Sequence, residues 1–188
     1  MTLAEFLIGI GTIVTGVAIT DIVQRIASLI EHRREIRWDW LPLLLLLDAV
    51  LTLLVSWALA WQYIQSNPHE VTLGHFLLGL VNYALIYLMC AAMLPRDPQP
   101  GLDMRQFFER QVKPYWVIYS MILVYFIDRF VVVPWLVAGA PLGVARVGVL
   151  LLCLGASVAL IFVRRRIWHA LGGFAQLAVL LTNLPNTF

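Results

Sequence analysis

Charge is the first thing this sequence lacks. Only 13% of its 188 residues are charged, whereas 61% are hydrophobic. A soluble domain of this length carries about 25% charged residues. So thin a polar coat cannot cover a water-facing surface, but lipid asks for none. The net charge of +2 is small and comes from loop arginines, which argues against a nucleic-acid partner. Cysteine is nearly absent. Cys90 and Cys153 fall inside apolar runs and read as reduced packing residues, silent on redox compartment.

The catalytic signatures are missing as well. There is no Walker sequence, no H-E-x-x-H, no G-x-S-x-G elbow and no dinucleotide fingerprint. No lysine lies within an apolar run, which argues against a retinal Schiff base. No His, Cys or Asp spacing suggests zinc. The chain is therefore not expected to be an enzyme, and no cofactor or metal is expected.

What is present is apolar sequence in long pieces. Six stretches stand out, at about 5–29, 41–63, 72–94, 115–137, 143–163 and 167–184, each close to the roughly 20 residues that span a bilayer. Continuous apolarity of this length reads as helix, because the strands of a membrane barrel would alternate. The expected fold is all-α: one integral membrane domain over residues 1–188, a bundle of about six transmembrane helices. With Glu5 near the start in place of lysine or arginine, no cleavable signal is expected, and the first span is retained.

Arginine alternates between loops. Arg33, Arg34 and Arg37 follow the first span; Arg96, Arg105, Arg110 and Lys113 follow the third; Arg164, Arg165 and Arg166 follow the fifth. The intervening loops carry almost none. The positive-inside rule then gives a multi-pass protein of the inner (plasma) membrane with both termini outside the cytoplasm. Trp38, Trp40, Tyr115, Trp116 and Trp168 are expected at the cytoplasmic interface, and Trp61, Tyr63 and Trp135 at the outer one. The general pattern is similar to that of small bacterial inner-membrane proteins, a likeness that carries no chemistry.

Between Pro95 and Pro114 the chain changes character. A proline-rich connector is followed by Asp103, with Gln106 three residues on, the pattern of a capping box. Met104, Phe107, Phe108 and Val112 set an apolar stripe against Arg105, Glu109 and Arg110. This predicts a short amphipathic helix over about 103–113, lying in the cytoplasmic interface.

Three being odd, a duplicated three-helix unit would insert upside down relative to its twin. The matches are His75, Gly79 and Asn82 with His169, Gly173 and Gln176; Asp48 and Ser56 with Arg146 and Ser157; and Asp21 with Asp128. Apolar sequence also yields such matches by chance.

The candidate site residues are the charged and polar groups at membrane depth. At 1.5 Å per residue, Asp21 lies about 24 Å along its helix from Glu5, and Asp48 about 12 Å from Trp40. Arg25, one turn from Asp21, can pair with it or reach Asp48. Asp128, Arg129 and Arg146 form a second group in the other half, with Asp128 and Arg146 the expected pair. An ionised side chain at the bilayer centre costs at least about 2.5–3.5 kcal/mol, so such residues are paired, neutral or in a wet cavity. His75 and Asn82 share one helix face, as do His169 and Gln176, and with Tyr83 they set a polar path between the two groups. A bis-histidine haem does not fit, since His75 and His169 fall near opposite faces of the membrane.

Two functions follow. The first is an ion or proton channel or secondary transporter using these Asp/Arg clusters. The alternative is a non-catalytic structural or accessory subunit of a larger membrane complex. The glycines of the first span, Gly9, Gly11 and Gly16, permit close helix contact, so a homo-oligomer or other membrane subunits join the lipid bilayer as expected partners.

Overall fold

The computed structural model describes residues 3–66, 72–133, 135 and 144–183. Among the described residues it is all-α, with six helices: α1 (Leu3–Glu31), α2 (Trp40–Ser66), α3 (Leu73–Met93), α4 (Met104–Ile127), α5 (Val144–Phe162) and α6 (Arg166–Asn183). Among the described residues, four segments are long and apolar enough to cross a membrane: Gly9–Glu31, Trp40–Gln65, Phe76–Met93 and Met104–Val132. The last of these includes a turn of π-helix, Asp128–Val132, that continues α4.

Local chemistry sets the helix starts. The Asp103 carboxylate accepts from the backbone N–H of Arg105 at 2.9 Å and of Gln106 at 3.3 Å, satisfying two of the orphan donors of α4. Asp39 does the same for α2, accepting from Leu41 N–H at 3.2 Å. Asp39 also pairs with Arg166, which ties the start of α2 to the start of α6.

One expectation changes here. Residues 103–113 do not form a separate interfacial helix: α4 runs from Met104 straight through Pro114 to Ile127. Proline removes one ladder bond and crowds the turn before it, but Pro114 points outward and the helix continues past it. Met104, Phe108, Val112 and Tyr115 are buried, so the apolar stripe faces the bundle.

Helices α2 and α4 make up the centre. α4 packs on α3 and α5, α2 packs on α3 and α6, and α1 lies against α2 and α3. The core runs through Leu45, Leu53, Ile86, Met89, Tyr115, Trp116 and Ile122. The expected anchors divide accordingly. Trp38, Trp40, Trp61, Trp135 and Trp168 are exposed, but Tyr115 and Trp116 are fully buried.

The three arginine-bearing connections meet at one end of the bundle. Arg37 N–H donates to Leu102 C=O at 2.9 Å, Met104 N–H to Arg37 C=O at 3.1 Å, and Gly101 N–H to Glu35 C=O at 2.9 Å. Gly101 holds the turn with a φ of +83°, a backbone conformation that glycine adopts without strain. The Asp39–Arg166 pair brings in the third connection.

Helix α6 sits close because glycine faces its neighbours. A Cβ on Gly173 would lie 2.8 Å from Leu45 Cδ2 and 3.3 Å from Leu44 Cδ2. Gly173→Val is expected to destabilise the bundle by about 1–3 kcal/mol, the cost of overpacking. Thermal unfolding of the purified variant beside wild type checks this; an unchanged midpoint would show that α6 does not bear on α2.

Candidate functional site

Among the described residues, Asp48 is the one acid with 0% exposure. It sits two turns into α2, facing α4. Its Oδ2 accepts a hydrogen bond from the Tyr115 hydroxyl at 2.8 Å, and that hydroxyl also lies 3.3 Å from Leu45 C=O. The other oxygen, Oδ1, has no partner among the described residues, and no cation there pairs with it.

Arg25 is engaged elsewhere. Its Nε donates to Asp21 Oδ2 at 2.6 Å, and the Tyr87 hydroxyl donates to the same oxygen at 2.9 Å. A guanidinium nitrogen lies 3.4 Å from Leu94 C=O. The expected Asp21–Arg25–Asp48 cluster therefore does not assemble. Asp21 and Arg25 lie one turn apart on α1 and fasten it to α3, whereas Asp48 turns from α2 toward α4.

A polar stripe leads away from Asp48. Thr52 and Ser56 follow at i+4 and i+8 on the same face of α2, and both are buried. Thr52 Oγ1 donates to Asp48 C=O at 2.9 Å and keeps lone pairs that can accept. Ser56 opens onto a cavity of about 210 Å³ between α1, α2, α3 and α4, at the end away from the arginine-bearing connections. Its walls are largely aromatic, including Trp57, Trp61, Tyr83 and Phe126. Gly11 and Gly79 contribute open wall, since a Cβ on either would meet nothing within 4 Å. Ser56 Oγ and Asn82 Oδ1 are buried without a hydrogen-bond partner among the described residues, and both residues line this cavity.

The second expected group is partly in view. Arg129 lines the cavity, with its guanidinium 5.3 Å from the centre of the Tyr63 ring. That is cation–π distance. Asp128, its neighbour in sequence, is exposed and is not among the residues that line the cavity. The side chains of Arg146 and His75 lie outside the described residues, so the expected Asp128–Arg146 pair does too.

Of the other path residues, Asn82 and Tyr83 line the cavity, and Gln176 is buried in α6 with no partner for Oε1 among the described residues. His169 has a different setting. Trp116 Nε1–H donates to its Nδ1 at 2.9 Å, so the ring proton is on Nε2, which donates to Val163 C=O at 3.1 Å. Both nitrogens are committed to partners inside the bundle, and this His fastens α6 to α4.

The sequence alone does not reveal Tyr115 as the partner of Asp48, nor Thr52 and Ser56 as members of this site. For the latter two a signal was available: Asp48, Thr52 and Ser56 recur at the spacing of one helix face. No three of His, Cys, Asp and Glu converge to hold a metal ion among the described residues. What the arrangement offers chemically is a carboxyl without a cation, in contact with a phenol, at the foot of a polar line that ends in a cavity.

Compared with protein-family models, curated proteins and solved structures, the chain matches none.

Proposed function

We propose that this chain is a small secondary transporter or proton pathway of the plasma membrane, in which Asp48 carries the proton. One observation supports the reading above the others: Asp48 is fully buried, and no cation pairs with it among the described residues. An ionisable group at membrane depth is by default a functional site, because a merely structural charge would bring its partner along. Asp21 with Arg25 is such a structural pair. Asp48 is not.

The route then runs from the cavity past Ser56 and Thr52 to Asp48, about 12 Å along α2. On the positive-inside rule the arginine-bearing end is cytoplasmic, so the cavity opens outward and the termini lie outside. In this reading all six helices cross the membrane as one domain; α5 and α6, with 19 and 18 residues, are the short members. Two of the matched positions support an inverted repeat. Ser56 and Ser157 are both buried, and Asn82 and Gln176 each carry a buried carbonyl oxygen with no partner among the described residues.

The test is proton flux in liposomes reconstituted with the purified chain, under an imposed pH gradient. Wild type conducts, Asp21→Asn stays close to wild type, and Asp48→Asn does not conduct. Absence of flux in wild type, with folded protein in the membrane, overturns the proposal and favours the accessory-subunit reading.

A further inference from the structure

The cavity near Arg129 has a chemistry of its own. Its walls are apolar and aromatic, and besides the phenols and indoles of its tyrosines and tryptophans it carries three polar groups in two places. Deep inside are Ser56 Oγ and Asn82 Oδ1, on residues with 5% and 3% exposure and no partner among the described residues. Near the mouth is Arg129, stacked on Tyr63, with no carboxylate paired to it among the described residues. A buried polar atom left unpaired costs about 1–3 kcal/mol. A lipid chain or detergent tail filling the cavity would leave both deep atoms in that state. A ligand with a hydroxyl at one end would satisfy them.

Size and length narrow the class. About 210 Å³ exceeds the roughly 150 Å³ void that accepts benzene, so one ring with a few further atoms fits. Ser56 and Tyr63 are seven residues apart on α2, about 10 Å along the axis. That separation suits a single ring with a carboxylate at one end and a hydroxyl at the other, hydrogen-bonded at both. The carboxylate meets the Arg129 guanidinium, which is built to bind it. Trp57 and Trp61, with ring centroids 5.8 Å apart, give the ring an aromatic wall.

We infer that this cavity binds a single-ring aromatic carboxylate with a distal hydroxyl, held by Arg129 at the mouth and by Ser56 and Asn82 at the base. The inference rests on the transport reading only for its use: it names the class of molecule that enters the route to Asp48. Binding itself does not require a proton gradient.

The experiment is calorimetric titration of 4-hydroxybenzoate into the purified full chain in lipid nanodiscs. Saturable binding at one site per chain is expected. Arg129→Gln weakens it at least about tenfold, the loss of one charge-assisted contact, while Arg129→Lys retains part of it. Gly79→Leu, which fills the open wall without removing a polar group, abolishes it. Benzoate and benzyl alcohol, each lacking one polar end, bind at least about tenfold more weakly. Thermal unfolding alongside confirms that the variants are folded. The inference is overturned if folded wild type shows no saturable binding, or if Arg129→Gln and Gly79→Leu bind like wild type. Octanoate binding as tightly as 4-hydroxybenzoate also overturns it and assigns the cavity to an acyl chain. Binding without Asp48-dependent flux removes the transport reading alone; Asp48-dependent flux without binding removes this inference alone.

Discussion

On the proposed reading, Asp48→Asn is expected to bring gradient-driven proton flux down to that of protein-free liposomes, with the bundle intact. The two side chains have nearly the same shape, and the asparagine carbonyl still accepts from Tyr115, whose hydroxyl lies 2.8 Å from Asp48 Oδ2. The packing around a fully buried site is therefore preserved. The amide cannot take up or release a proton near neutral pH. A dye trapped in the lumen reads the flux, and circular dichroism with thermal unfolding reads the fold. Tyr115→Phe separates two roles of the phenol. It leaves the carboxyl in place but without its hydrogen-bond donor, so flux persists at an altered rate. Flux in Asp48→Asn equal to wild type would remove Asp48 from the route.

Trp116→Ala is expected to cost about 3 kcal/mol, the low end of the range for truncating a fully buried tryptophan. In a membrane the released side chain meets lipid instead of water, so lost packing carries the effect and the transfer contribution is small. Trp116 is 0% exposed, packs edge-on to Tyr115 at a centroid distance of 5.1 Å, and donates to His169 at 2.9 Å. Gly172 leaves it room: a Cβ there would stand 3.2 Å from Trp116 Cη2. Truncation opens a void between α4 and α6 and leaves the Nδ1 of His169 unpartnered. At 2–4 °C per kcal/mol for a chain of this size, the unfolding midpoint falls by roughly 10 °C. Trp116→Phe keeps most of the volume and loses only the N–H, so it falls by less. Equal midpoints for wild type and Trp116→Ala would show that α4 and α6 do not depend on this contact.

The helices were legible in the sequence because apolar runs, prolines and arginines mark their ends. Which face of each helix turns inward was not. Around a soluble helix, water makes the outer face polar and so reveals the inner one. Around a lipid-facing helix both faces are apolar, and Leu45 in the core has the same hydropathy as the exposed Leu47. Tyr115 and Trp116 were read as interface anchors for this reason, although both are buried. Pro114 was read as a helix boundary, and its outward position lets α4 pass through. Asp48 was legible as a candidate because acids are rare at that depth. Its partner was not, since spacing along one helix cannot say which neighbour a side chain meets. The cavity had the weakest signature, being made of glycines and aromatics scattered over four helices.

The backbone lacing of residues 35–37 to 101–104 makes the arginine-bearing end of this molecule mechanically stiff. Two helical hairpins, α1–α2 and α3–α4, are stitched together at their bends, and the Asp39–Arg166 pair fastens a third helix to the same place. Rods tied at one end turn about that end. Any breathing of the bundle thus leaves the arginine-bearing end in register.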